Sequence, residues 1–175
     1  MTRSPDAMFF EEQPLRDNKL FFLAFLSGVG IVVFFVYVMY KQLIMGEPVG
    51  DHPMGDAMLA VFGSLYILLG AALLYLYFAG RLVTEVRPDG LYVRYVPFHR
   101  SFHQIPLSGV AECGARTYKP VREYGGWGIR KGVGKKAYNV SGNRGVELRF
   151  EDGSKLLIGS RKPDQLESAL ASIIG

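Results

Sequence analysis

Apolar and charged positions are mixed along most of this 175-residue chain, but two long segments contain apolar positions without charged ones. Residues 20–40 and residues 57–79 contain no Asp, Glu, Lys or Arg and are apolar except for a few glycines and serines. At about 1.5 Å per residue, each segment is about 30 Å long or more as a helix, which is enough to cross a bilayer. Soluble helices carry a polar stripe, and these segments have none. The pattern predicts a transmembrane hairpin over residues 20–79, with a loop at residues 41–56.

The distribution of Lys and Arg predicts the orientation of this hairpin. The loop at residues 41–56 holds one positive residue and three acidic ones, whereas residues 80–175 hold sixteen positive residues and nine acidic ones. Positive residues favour the cytoplasmic side, so we expect the loop outside and both termini in the cytoplasm. Residues 1–19 are then a cytoplasmic N-terminal tail. The net charge of +4 follows from this bias, and no nucleic-acid motif accompanies it.

Small residues within the first span permit close helix packing. Ala24 and Gly28 are four positions apart, a spacing that lets two helices of one chain, or two protomers, approach closely. An oligomer of the hairpin would be a transporter or channel subunit, which is the alternative functional hypothesis. The spans carry no Asp, Glu, Lys, Arg or His side chain of the kind that ion and proton pathways use.

Residues 80–175 show short alternating segments separated by turn residues, a pattern typical of strands. Strands are predicted at residues 82–87, 90–96, 101–105, 107–118, 136–140, 146–150 and 155–158. We expect residues 136–140 to form a hairpin arm with the strand at 146–150. Leu166, Ala169, Leu170 and Ile173 follow a helical spacing after Pro163, which predicts a helix over residues 163–174. The expected fold is α+β: a small antiparallel β-barrel or sandwich closed by one C-terminal helix.

A glycine-rich basic segment at residues 124–136 is the most unusual stretch outside the spans. It reads YGGWGIRKGVGKK and contains five glycines and the only tryptophan. The spacing of a phosphate-binding loop is absent. Two interpretations stay open: a loop that touches anionic headgroups, and a strand connection whose glycines only supply backbone geometry. Candidate contact residues for a partner or lipid are Trp127, Arg130, Lys131, Lys135 and Lys136.

Candidate catalytic and metal-binding residues are few. No nucleophile elbow or zinc-protease motif occurs, and Cys113 is the only cysteine. His99 and His103 would lie about 13 Å apart in an extended strand, too far to share an ion unless the chain folds back. A membrane-tethered enzyme using these histidines or Glu123 is the least supported hypothesis. We therefore expect no catalytic site, no metal and no cofactor.

The order of elements resembles the bacterial pleckstrin-homology-like (PH-like) domains of small membrane proteins. The resemblance covers roughly residues 82–174, and the whole chain also resembles an uncharacterised group of bacterial membrane proteins. The resemblance to the PH-like domains rests on IPL at 105–107, the hairpin at 146–158 and GSRKP at 159–163. The resemblance to the wider group rests on YGGWGIR at 124–130. The turn at residues 88–90 lacks a basic cluster and the last helix lacks tryptophan, which argues against inositol-lipid recognition. The resemblance implies a binding or assembly scaffold.

The sequence therefore predicts a non-enzymatic interaction or assembly module anchored in a bacterial inner membrane. Its cytoplasmic domain would face a protein partner, another copy of the chain or the anionic membrane surface.

Overall fold

The structure is a computed structural model that describes residues 4–175, and it divides into two compact units. One unit comprises Lys19–Phe78 and is helical. The other joins the residues up to Asn18 with Ala79–Gly175 and contains the strands. The chain thus leaves the strand-containing unit at Asn18 and re-enters it at Ala79.

The helical unit contains both helices that the sequence predicts. Helix α1 spans Lys19–Met39 and continues into one π-helical turn at Tyr40–Ile44, and helix α2 spans Asp56–Ala79. By length and composition both are able to cross a membrane. Only 11% and 17% of their most apolar windows are buried within the chain, so most of their apolar surface is exposed. The helices at residues 20–40 and 57–79 are confirmed, and their insertion in a membrane stays a prediction.

Glycines allow α1 and α2 to approach closely. A Cβ atom added at Gly70 would lie 2.6 Å from Val32 Cγ2 and 2.9 Å from the carbonyl oxygen of Gly28, so no larger residue fits without movement. Ala24 and Gly28 are predicted to pack either two helices of one chain or two protomers. The structure shows Gly28 of α1 packed against Gly70 and Leu73 of α2 in the same chain.

Nine strands form two sheets in the described residues. The strands are β1 Phe9–Pro14, β2 Arg81–Arg87, β3 Gly90–Val96, β4 His103–Ile105, β5 Val110–Thr117, β6 Gly128–Gly132, β7 Lys135–Asn139, β8 Arg144–Phe150 and β9 Lys155–Gly159. The first sheet has the order β1-β2-β3-β4 and the second has the order β5-β8-β9-β7-β6. Helix α3 spans Pro120–Tyr124, and helix α4 spans Pro163–Ile174 at the end of the chain.

The local predictions in this unit are confirmed where short-range signals specify them. Every predicted strand overlaps an observed one, and Gly90 begins β3 with the positive φ of 146° expected at its turn. The predicted helix at 163–174 matches α4, which contacts β5 and β8. Its side chains Leu166 and Leu170 are fully buried, as the helical spacing indicates.

Of the two alternatives predicted, a barrel and a sandwich, the closed barrel is wrong, because the described strands form two separate sheets. The expected pairing of residues 136–140 with the strand at 146–150 is also wrong. Strand β7 pairs in parallel with β9 and antiparallel with β6. Strand β8 has β5 on one edge and β9 on the other, so it offers no free edge to β7.

Part of the predicted N-terminal tail is a strand of the first sheet. Strand β1 pairs antiparallel with β2, the strand that follows the second long helix. Its buried face carries Phe9, Glu11 and Gln13, so two of three inward residues are polar and the hydrophobic pattern of a strand is missing. Long-range hydrogen bonds offset part of the cost of this burial: Gln13 Nε2 donates to Gly159 O over 2.8 Å, and beyond the strand Asn18 Nδ2 donates to Val140 O over 2.6 Å.

Candidate functional site

The glycine-rich segment folds into a helical turn followed by a hairpin. Helix α3 ends at Gly125, which has a left-handed φ of 70°. Strands β6 and β7 follow, joined by Val133 and Gly134. Gly134 has a positive φ of 62°, a conformation that favours glycine at this tight turn. The segment therefore combines a regular hairpin with glycines that supply backbone geometry.

Strand register brings four lysines together around this hairpin. Lys131 of β6 is directly opposite Lys136 of β7, and Lys135 of β7 is opposite Lys155 of β9. All four residues line one open groove of about 400 Å³, with the Lys131 and Lys136 side chains on one face of the sheet and those of Lys135 and Lys155 on the other. We call this site the lysine groove. Three of its lysines come from the sequence-predicted contact residues, and Lys155 was not predicted.

The lysine groove has an excess of positive charge. Among the ion pairs of residues 4–175, none joins these four lysines to a carboxylate. Lys135 Nζ donates a hydrogen bond of 2.7 Å to the Glu123 backbone carbonyl, and Lys136 Nζ lies 4.6 Å from the centre of the Tyr138 ring. Like charges placed directly opposite on neighbouring strands destabilise a sheet. The arrangement is therefore electrostatically unfavourable without a bound anion.

Apolar residues and one hydroxyl complete the lining. Ile105, Phe150 and Leu156 contribute carbon surface, and Ser154 lies at the turn before β9. The backbone N–H of Ser154 donates to Asp152 Oδ1 over 2.8 Å, and the backbone N–H of Lys155 donates to Gly134 O over 2.9 Å. The second contact ties the start of β9 to the turn of the hairpin. The groove thus has backbone walls that these hydrogen bonds hold in place.

The histidine pair lies next to this charge. Instead of an extended segment, the chain folds back after β3, and the rings of His99 and His103 meet edge to face with their centres 4.1 Å apart. His99 Nδ1 accepts a hydrogen bond of 3.2 Å from the Tyr95 backbone N–H. Burial lowers the pKa of His99, and the positive charges of His103, Lys136 and Lys131 lower it further. The positive charge of the groove therefore contributes to the lowered pKa of His99.

A match to a protein family covers the whole chain. The profile of a family of unknown function, DUF6141, matches residues 1–175. The chain belongs to the DUF6141 family. No curated protein and no solved structure matches it. Both structural units lie within the DUF6141 match, so the family includes the long helices as well as the sheets.

Two predicted contact residues of this DUF6141 chain have structural partners instead of lining the groove. The Trp127 indole N–H donates to Gly142 O over 2.9 Å, and Arg130 Nε donates to Trp127 O over 2.8 Å. Both side chains thereby hold the loop between α3 and β6 and are partly buried. Of the predicted contact residues, Lys131, Lys135 and Lys136 line the groove, whereas Trp127 and Arg130 do not.

A second charged cluster lies on β5, β8 and α3, and it is compensated. Arg116 bonds to Glu123 over 2.6 Å and to Glu147 over 2.7 Å, and Arg149 bonds to Glu147 and Glu112. The Lys119 backbone N–H and the Arg116 guanidinium lower the pKa of Glu123, so this carboxylate is a poor proton donor. Arginine and carboxylate charges are paired here, in contrast to the lysine groove.

Reactive groups are scarce near this second cluster. Cys113 lies in an adjoining groove of about 340 Å³, and burial raises the pKa of its thiol to about 11. The thiolate form that nucleophilic chemistry requires is therefore rare at neutral pH. Over residues 4–175, no group of three or more His, Cys, Asp or Glu side chains is placed to hold a metal ion.

Proposed function

We propose that this chain is a non-enzymatic, membrane-anchored binding module. The two long helices form a transmembrane hairpin in a bacterial plasma membrane. The strand-containing unit is a PH-like domain on the cytoplasmic side, and it binds an anionic partner through the lysine groove. The observation that carries the proposal is that four lysines without a carboxylate partner line one groove, with Lys131 and Lys136 directly opposite each other on one face of the sheet.

The exposure of the helices supports the membrane anchor. Side chains such as Phe34, Leu68 and Phe78 are 58%, 67% and 65% exposed, a cost in water that a bilayer removes. The close approach of Gly28 and Gly70 within one chain favours a compact anchor over a helix pair that opens to line a pore.

The pairing of β1 with β2 supports the predicted topology. Strand β1 ends at Pro14, before the first helix, and β2 begins at Arg81, after the second. Because the two strands share hydrogen bonds, they lie on the same side of any membrane that the helices cross. An even number of crossings is then required, as in a hairpin. The excess of Lys and Arg in residues 80–175 favours the cytoplasm for that side.

The arrangement of elements supports the PH-like assignment. The domain has two sheets built mainly from antiparallel neighbours, and one amphipathic C-terminal helix buries Leu166 and Leu170. Strand β1 is an addition that the resemblance did not include. The lysines of this surface belong to β6, β7 and β9 and not to the turn at residues 88–90.

An anionic membrane surface is the partner that the charge of the groove favours. Each Lys near such a surface contributes about 1 kcal/mol of attraction, so Lys131 and Lys136, which share one face of the sheet, together contribute about 2 kcal/mol. To test this, the full-length chain is reconstituted in phosphatidylcholine nanodiscs, immobilised and exposed to vesicles with or without phosphatidylglycerol. We expect retention of the anionic vesicles only, with loss at high salt. Equal retention of neutral vesicles would overturn the assignment of an anionic partner.

A matched pair of variants locates the surface. Lys131→Gln/Lys136→Gln removes two charges from the groove, and Lys119→Gln/Lys162→Gln removes two exposed charges elsewhere on the domain. The first variant should lose the anionic vesicles and the second should keep them. Equal loss would show that net charge alone is responsible.

Topology is tested separately. In a Cys113→Ala background, single cysteines replace Pro53 or Gly175, and intact cells are treated with a membrane-impermeant maleimide. We expect labelling at position 53 only, and labelling at position 175 after permeabilisation. Labelling of position 175 from outside would contradict the proposed orientation.

A further inference from the structure

The lysine groove leaves one question open, namely which anion it is built for. Its lysines belong to three strands, β6, β7 and β9, whose register is set by backbone hydrogen bonds. The four residues line a confined volume of about 400 Å³ and not a long track, and only the Lys131 and Lys136 side chains share one face of the sheet. Nucleic acid and extended acidic peptides need a continuous basic surface. A compact ligand of high charge fits the groove better.

The charge of the groove favours a dianion over a monoanion. Lys131 and Lys136 form a like-charge pair on one face of the ladder, beside His99, while Lys135 and Lys155 are paired on the opposite face. A carboxylate or a phosphodiester brings one negative charge and relieves only part of this repulsion. A phosphomonoester carries about 1.5–2 negative charges near neutral pH and has three strong acceptor oxygens. Lysine ammonium groups, with three donors each, suit such a group.

The remaining lining matches the organic part of a phosphate ester. Ser154 offers a hydroxyl at the rim, and Ile105, Phe150 and Leu156 offer carbon surface that inorganic phosphate would leave uncovered. We propose that the lysine groove is a binding site for a phosphomonoester group attached to a partly apolar molecule. This inference rests on the proposed function in one respect, since both use the groove as the binding surface.

Two sources of this chemistry are possible: a lipid with a terminal phosphate headgroup and a soluble phosphorylated metabolite. The groove chemistry is the same for both. Additional contact of acyl carbons with the apolar lining would make the lipid bind more tightly than the soluble ester.

His99 provides a readout that is independent of membrane binding. Lys131 and Lys136 lower its pKa through their positive charge, and His103 acts in the same direction from the facing ring. A dianion bound between the two lysines cancels part of their field. The pKa of His99 should therefore rise when the groove is occupied, and a carbon-detected titration of the three histidines of the chain measures it directly.

The experiment uses the full-length chain in a neutral detergent. It is titrated with glycerol 3-phosphate, with dihexanoyl phosphatidic acid and with the diester dihexanoyl phosphatidylglycerol, by calorimetry and by the His99 resonance. We expect both monoesters to bind and to raise the pKa of His99, and the diester to bind at least about tenfold more weakly. Tighter binding of phosphatidic acid identifies a lipid source, and tighter binding of glycerol 3-phosphate identifies a soluble one.

The variants decide whether the groove is responsible. Lys131→Gln/Lys136→Gln should weaken monoester binding by about tenfold or more and abolish the His99 shift, while Lys119→Gln/Lys162→Gln should leave both unchanged. Equal affinity for monoester and diester, or equal loss in the two variants, would overturn the inference. If anionic vesicles are still retained through the groove, the proposed function stands without it. If the groove still binds monoesters but the chain does not retain anionic vesicles, the phosphomonoester site stands and the proposed binding to the membrane surface fails.

Discussion

A buried carboxylate on β1 provides the sharpest test of how the N-terminal strand is held. Glu11 is only 7% exposed, and its carboxylate accepts hydrogen bonds from Ser160 Oγ over 2.6 Å and from the Arg161 backbone N–H over 2.9 Å. These contacts join segments about 150 residues apart in sequence, because Ser160 and Arg161 lie between β9 and α4. We expect Glu11→Ala to destabilise the strand-containing unit strongly.

The magnitude follows from the groups that the substitution leaves behind. Hydrogen bonds to a charged group contribute about 1.5–3 kcal/mol each, and each buried donor left without a partner costs about 1–3 kcal/mol. Water reaches part of the loop beside exposed Arg161, so we expect a loss of about 2–4 kcal/mol for Glu11→Ala. Glu11→Gln keeps one acceptor oxygen and can donate to Ser160 Oγ, so its loss should be about half as large.

The neighbouring residue on β1 supplies a matched control. Glu12 points to the other face of the strand, where its carboxylate lies 3.5 Å from Arg81 Nε and is one-third exposed. An ion pair of this kind contributes about 0–1 kcal/mol. Glu12→Ala removes the same charge from the same strand and should cost less than about 1 kcal/mol.

Denaturant unfolding of the full-length chain measures these differences. The only tryptophan, Trp127, belongs to the strand-containing unit and is bonded there to Gly142, so its fluorescence reports on that unit. Equal shifts for Glu11→Ala and Glu12→Ala, or a shift below about 0.5 kcal/mol for Glu11→Ala, would refute the role of the Glu11 carboxylate in holding β1.

Two further predictions concern the helices and the cysteine. Gly70→Val should lower the melting temperature in detergent, because overpacking against Val32 and Gly28 costs about 1–3 kcal/mol. Gly30→Val should have little effect, since nothing lies within 4 Å of a Cβ atom at that position. Circular dichroism at the helix band measures both melting temperatures, and equal values for the two variants would contradict the close packing. Cys113 should react with iodoacetamide at pH 8 about a hundredfold more slowly in the folded chain than after unfolding, because burial raises its pKa to about 11 and ordinary thiols titrate near 8.5. The reaction rate of the folded chain should rise with pH up to about pH 11. A rate that does not change with pH would contradict the raised pKa.

The strands that sequence reasoning identifies are those with local signals. Alternating residues and an Asp-Gly turn predict β8 and β9, and Pro88, Asp89 and Gly90 predict the turn between β2 and β3. Strand β6 lies in a glycine-rich stretch with only one apolar residue, Ile129, so no alternation marks it. Helix α3 has five residues, too few for a periodic pattern.

Strand β1 and the lysine groove depend on contacts between distant parts of the chain. The inward residues Glu11 and Gln13 are polar. Hydrogen bonds from Ser160 and Arg161 to Glu11, and from Gln13 Nε2 to the Gly159 carbonyl, offset part of the cost of burying them. Lys155 joins the groove through a parallel pairing of β7 with β9, a partnership that no local turn encodes.

The amino-acid sequence by itself determines the two apolar helices, the short hairpins and the C-terminal helix. Each depends on hydrophobic spacing, turn residues or capping within a few positions. The tertiary structure decides that a strand preceding the first helix enters the sheet that follows the second, that β9 lies between β7 and β8, and that four lysines share one groove. These features arise because long-range hydrogen bonding and burial select which edges meet, and residue order alone does not state that choice.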